Sequence, residues 1–193
     1  MTPSIPLILY VVLQFVAFLL MLVGTPLDIV RRRDVAAGIP LTCMTLWGFK
    51  VDCFSVDYSI TIDVLFGACP PRINRFRVAQ VFVVLSILVY GAACILDVML
   101  LCGISLLRWV CLALNVVGSV TLCVVWAAMA RTFLKDDGPQ CSSFREVNKY
   151  GPGFILLVVA WILDTLNIIL LLLPCTSTEG AEYNKEQPLT AQE

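Results

Sequence analysis

Two cysteines, Cys43 and Cys53, bracket the run Cys-Met-Thr-Leu-Trp-Gly-Phe-Lys-Val-Asp-Cys, the most distinctive stretch of the chain. Thiols so placed can bridge, bind a metal or attack an electrophile. A zinc set is disfavoured because the 193 residues hold no histidine and no Cys-x-x-Cys pair, so no metal site is expected. Catalysis is disfavoured as well: no nucleophile sits with a base and no glycine-rich phosphate cradle is present. Gly151-Pro152-Gly153 reads as a turn that opens a helix. No enzyme activity and no cofactor are expected.

A second constellation is polar groups inside apolar runs. At about 1.5 Å per residue, Gln14 and Asp164 fall at the middles of their runs. Asn115 lies about 3 Å from its own midpoint, and Asn167 is one turn from Asp164 on the same face. These four residues are expected to form one mid-membrane cluster. A lone carboxylate at that depth costs at least about 2.5–3.5 kcal/mol, so Asp164 must face the bundle with its proton retained or a partner supplied. Asp97 lies about 10 Å from its midpoint, at nearly the depth of Arg108, which predicts an Asp97–Arg108 ion pair.

The elements that position these groups follow from composition. With 60% hydrophobic residues, 14% charged and a mean hydropathy of +0.92, the chain is an integral membrane protein. A net charge of -1 without a basic stripe excludes nucleic acid as a natural partner, leaving the lipid bilayer. The apolar runs predict transmembrane helices over about 5–24, 78–102, 104–130 and 153–174 in a single domain. The first run is too long, and its start too free of positive charge, for a cleaved signal. A large loop spans 28–77, a second loop 131–150, and an acidic, disordered tail 175–193. From Phe54 to Phe66 the residues alternate with β-branched and aromatic enrichment, which predicts strand structure in the large loop.

Cys43, Thr45, Leu46, Trp47, Gly48, Lys50, Asp52 and Cys53, in this order and in the loop after the first helix, resemble the signature of the amastins, surface proteins of kinetoplastid parasites. The four-span layout of the whole chain is similar too. Claudins fit less well, because their paired cysteines follow the Gly-Leu-Trp element whereas Cys43 precedes Trp47. Tetraspanins carry their large cysteine-rich loop between helices 3 and 4, where this chain has a short interval. The resemblance implies a claudin-like, all-α membrane bundle with a small extracellular β-sheet in the first loop. It implies a plasma-membrane location with both termini cytoplasmic, and contact with host or neighbouring membranes. Homo-oligomers through such sheets are compatible with this plan.

The Lys and Arg count opposes that orientation: eleven lie in the two larger loops and two elsewhere, which taken alone puts the loops in the cytosol. Paired cysteines on a small β-structure argue for an oxidising compartment and the family orientation. With the loop outside, Cys43 and Cys53 enclose a ring suited to a hairpin disulfide around Trp47 and Gly48. Gly48 is then expected at positive φ, and Trp47 either under the sheet or at headgroup level. Cys69 and Cys141 are a candidate second bridge. Cys94, Cys102, Cys111 and Cys123 read as small hydrophobes, and Cys175 as a palmitoylation candidate. The chain has no Asn-x-Ser/Thr sequon, so no N-linked glycan is expected. The reading is a non-enzymatic surface protein presenting its first loop. The competing reading is proton or ion transit through the bundle by way of Asp164.

Overall fold

The computed structural model describes residues 5–32, 42–53, 55, 57–102, 107–138, 141, 143–145 and 148–172. Among the described residues four helices are long and apolar enough to cross a membrane: α1 (Ile5–Gly24), α3 (Pro70–Leu101), α4 (Leu107–Leu134) and α5 (Pro152–Leu172). Their buried positions explain why they form a bundle. On α3, Arg72, Phe76, Ala79, Val83, Ser86, Tyr90, Ala93, Asp97 and Leu100 are buried, in alternating steps of four and three. On α5 the same rhythm runs through Gly153, Leu157, Ala160, Asp164, Asn167 and Leu171. A seven-residue seam of this kind packs helices at a small left-handed crossing. The opposite faces, with Val81, Leu88, Ile95 and Val116 exposed, are left for lipid.

Small residues let the seam close. A Cβ on Gly118 would lie 2.7 Å from the Tyr90 ring, so the glycine makes room for a fully buried tyrosine between α3 and α4.

The helices differ in length, and the difference builds the rest of the molecule. At 20 and 21 residues α1 and α5 are about 30 Å long, the thickness of the hydrocarbon core; at 32 and 28 residues α3 and α4 exceed it by about 12–18 Å. The excess stands on one side. At the other end the helices finish together, with Tyr10 against Asp97 and Arg108 against the Leu171 carbonyl. The expected start of this helix at residue 78 is therefore corrected to Pro70. Hydropathy reads only the lipid-facing part, whereas the seam of α3 continues upward to Arg72.

Against the protruding ends lies a five-stranded antiparallel sheet in the order β4-β3-β2-β1-β5. Its strands are β1 (Asp28–Arg32), β2 (Cys43–Thr45), β3 (Gly48–Lys50), β4 (Ile60–Thr61) and β5 (Asn148–Tyr150). The alternation over 54–66 is only partly realised as strand. Residues 54 and 56 lie outside the described set, β4 has two residues, and Ile62–Leu65 form a helical turn, α2. Burial accounts for the turn, since it carries Ile62 inward beneath the sheet. The fifth strand comes from the second loop: Val30 pairs with Tyr150 and Arg32 with Asn148. Tyr150 is stacked between Phe133 of α4 and Phe154 of α5, with ring centroids 4.1 and 4.3 Å away.

Candidate functional site

The signature run forms the β2–β3 hairpin, with Cys43 opposite Lys50 and Met44 opposite Phe49. Cys43 and Cys53 are disulfide-bonded, with their Cα atoms 5.3 Å apart. The Thr45 hydroxyl pins the turn. It accepts hydrogen bonds from the Trp47 and Gly48 amides at 3.1 and 3.2 Å and donates to the Gly48 carbonyl. Leu46 is fully buried, and its carbonyl accepts from Gln80 Nε2 of α3 at 2.9 Å. Gly48 is corrected in its role: the only described residue at positive φ is Gly138. Gly48 is needed for closeness, since a Cβ there would meet the Ile60 carbonyl at 2.9 Å where β3 pairs with β4. Lys50 donates to the Ser55 carbonyl at 2.9 Å and lies over the Tyr58 ring, so its charge closes the loop that contains Cys53. Trp47 is the exception in the hairpin: the residue is 38% exposed, and its ring is in none of the ring contacts among the described residues.

A second seam joins the two loops. Cys69 and Cys141 are disulfide-bonded. Arg72, buried at the top of α3, donates to the Cys141 carbonyl at 3.0 Å, and its guanidinium lies against the edge-to-face pair of Phe66 and Phe144 rings, 5.4 and 4.6 Å from their centroids. A charge buried so deeply is tolerable only with aromatic faces and hydrogen bonds around it. One turn on, Arg75 grips Asp137 with two nitrogens, each 2.6 Å from a carboxyl oxygen. Above the aromatic pair an open cleft of about 150 Å³ is bounded by Val30, Met44 and Phe49 of the sheet and by Leu65, Phe66 and Phe144. The sequence reading missed Phe66, Arg72, Asp137 and Phe144. A signal existed in Arg72 and Arg75, two cations at the foot of an apolar run.

This seam carries a pH prediction. The hydrogen-bonded Arg75 guanidinium holds the Asp137 carboxyl below the usual carboxylate range. A carboxyl lowered on folding stabilises the fold above its unfolded value, near 4, and that contribution fades as pH falls through the folded value. The loops are therefore expected to stay joined at pH 5 and to loosen only below about pH 4. Thermal unfolding of wild type and Asp137→Asn across pH 7 to 3 checks this, the variant lacking the acid-dependent part of the loss.

Inside the bundle the expected cluster divides. Asn167 Nδ2 donates to Gln14 Oε1 at 2.7 Å. Asn115 Nδ2 instead donates to the Tyr10 hydroxyl at 2.9 Å, and Tyr10 donates to Asp97 Oδ1 at 2.7 Å. The predicted Asp97–Arg108 ion pair is corrected accordingly. Asp97 points into the seam toward Tyr10, while Arg108 in the first turn of α4 bonds the Leu171 carbonyl, where the C-terminus of α5 attracts a cation. Asp164 is fully buried. The Tyr90 and Ser119 hydroxyls face it, yet neither carboxyl oxygen has a hydrogen-bond partner among the described residues. Tyr10 and Tyr90 went unnoticed because tyrosine is grouped with the hydrophobic residues when apolar runs are read. Cys94, Cys102, Cys111 and Cys123 are free thiols. Cys175 and the tail lie outside the described residues.

The family model for the amastin surface glycoproteins matches residues 15–171, from the middle of α1 to the end of α5. The chain belongs to the amastin family. No curated protein matches it. This amastin is a multi-pass surface membrane protein whose match takes in the two disulfides and five strands of the described residues, and the polar seam apart from Tyr10 and Gln14. The family's description includes glycoprotein, while this amastin has no N-linked acceptor sequon.

Proposed function

We propose that this amastin works without catalysis at the plasma membrane. Both termini lie in the cytoplasm and the sheet is presented outside for contact with host or neighbouring membranes. The observation that carries this reading is the pair of disulfides on one side of the helices, Cys43–Cys53 and Cys69–Cys141. Structural bridges persist in oxidising surroundings and are reduced in the cytosol. Five of the eleven cations that weigh against this orientation are engaged within the folded loops: Arg31 with Asp28, Arg75 with Asp137, Arg77 with Asp63, Lys50 on the Ser55 carbonyl and Arg72 on the Cys141 carbonyl.

Proton transit is less well supported. Polar groups follow the seam from Asp97 up to Ser86, which donates to Thr121 at 2.9 Å. Beyond that level Met21, Val83, Val125 and Leu157 fill the interior, each fully buried. A conduit needs polar groups or water at every depth, and this apolar layer interrupts them.

Adhesion of cells displaying the protein tests the contact reading. Cys43→Ser with Cys53→Ser is expected to keep surface display and lose contact, whereas Asp164→Asn keeps both. Undiminished adhesion by the cysteine variant sinks the contact role. Reconstituted vesicles whose proton flux depends on Asp164 revive the competing one.

A further inference from the structure

Within the signature hairpin Trp47 is the residue whose side chain has no evident task inside the molecule, and its height gives it one. The turn hangs from α3 by the hydrogen bond from Gln80 to the Leu46 carbonyl, so Trp47 sits at the level of Gln80. From Gln80 to the end of α3 at Leu101 is 21 residues, a rise of about 32 Å. The hydrocarbon core is about 30 Å thick, with a headgroup layer of roughly 5–7 Å on each face. The inner limit is set independently by Arg108 and the helix ends around it. With that end at one boundary, Gln80 and the turn arrive at the other.

The neighbours at this level have the composition of an interfacial belt. Arg77, about 4.5 Å higher along α3, is 66% exposed and paired with Asp63, itself exposed. That pair brings α2 to the same height, where Val64 is 75% exposed. Just below, Val81 and Val84 are exposed toward the hydrocarbon. An indole beside an aliphatic side chain and an exposed guanidinium, two-thirds accessible despite its pairing with Asp63, matches a layer of glycerol, carbonyl and phosphate groups.

We infer that the underside of the sheet rests in the headgroup layer of the leaflet beneath it, with Trp47 as the anchor and Arg77 as a phosphate partner. The occupant of this patch is lipid. A soluble partner cannot reach an indole at that depth without displacing headgroups. Residues of the hairpin available for contact are therefore those on the upper side. The inference holds for either orientation of the chain, because it depends only on α3 crossing the bilayer.

Depth-resolved fluorescence quenching tests it. The full-length protein is placed in phosphatidylcholine nanodiscs carrying a nitroxide on the headgroup, at acyl position 5, or at acyl position 12. Wild type is compared with Trp47→Phe, and the difference isolates Trp47 from Trp109, Trp126 and Trp161 without disturbing a buried residue. The expected result is strongest quenching of the Trp47 component by the headgroup and position-5 labels, with little by aqueous iodide. Full quenching by iodide with none from lipid labels overturns the inference and places Trp47 on the water-facing surface. Strongest quenching from position 12 overturns it too, by placing the indole in the hydrocarbon.

Discussion

Gly151→Ala is expected to cost at least about 3 kcal/mol, at the upper end of overpacking penalties. A Cβ at this position would stand 2.2 Å from the Asp28 carbonyl oxygen and 2.6 Å from Asp28 Oδ2. Backbone cannot swing aside as a flexible side chain does. Relieving the contact means parting β1 from the start of α5, which breaks the 2.7 Å bond from the Gly151 amide to the Ile29 carbonyl. It also draws Tyr150 from between Phe133 and Phe154. Gly153 is confined in the same way, with the Gly24, Leu27 and Asp28 carbonyls within 3.0 Å of its Cβ position. Gly67→Ala is the control, because its nearest neighbour is 3.5 Å away and the change should be nearly neutral. Thermal unfolding in detergent micelles separates them; equal midpoints would mean that the sheet is not wedded to α5.

The second large effect is expected from Cys69→Ser with Cys141→Ser. The separations are 72 and 10 residues for the two bridges, for which loop entropy alone gives about 4.4 and 2.7 kcal/mol. The first figure is too high for a membrane protein. The α3–α4 hairpin stays threaded through the bilayer when the loops unfold, so only the outer ends of the loop are free. Counting about 20 such residues lowers the value to about 3.3 kcal/mol. Beyond this entropy, the bridge holds Cys141 beside Arg72, so its loss loosens the carbonyl and the Phe144 ring around a buried cation. A larger fall in unfolding midpoint is expected than for Cys43→Ser with Cys53→Ser. Limited proteolysis should then cut the second loop first. A larger fall for the hairpin bridge would show that the seam between loops is secondary.

The fold was legible where one physical force acts alone. Lipid demands long apolar runs, so four helices and their order could be read from hydropathy, and the signature stretch proved to be a clamped hairpin. What escaped depends on contacts between distant segments. Asn148–Tyr150 has three residues and no telling alternation; it becomes a strand because Gly151 lets it approach β1. The upper quarter of α3 is hidden by Arg72, Arg75 and Arg77, which hydropathy scores as loop and the second loop and α2 render satisfied. Ile60 to Leu65 shows the reverse error: a period of two was present, but burial of Ile62 favoured a helical turn. Asp97 and Arg108 share a depth but not a direction, and depth is all that counting residues can give. Gly48 was correctly singled out for the wrong reason, space beside Ile60 rather than backbone conformation.

The proposed role requires both bridges to hold the sheet together on the outer face of the cell. Intact cells labelled with a membrane-impermeant thiol reagent, before and after reduction, test it most directly, with modified cysteines mapped by mass spectrometry. Cys43, Cys53, Cys69 and Cys141 are expected to be labelled only after reduction and without permeabilisation. Protection of all four until the membrane is opened, followed by labelling without reductant, would contradict it, and the surface role would fall with the orientation.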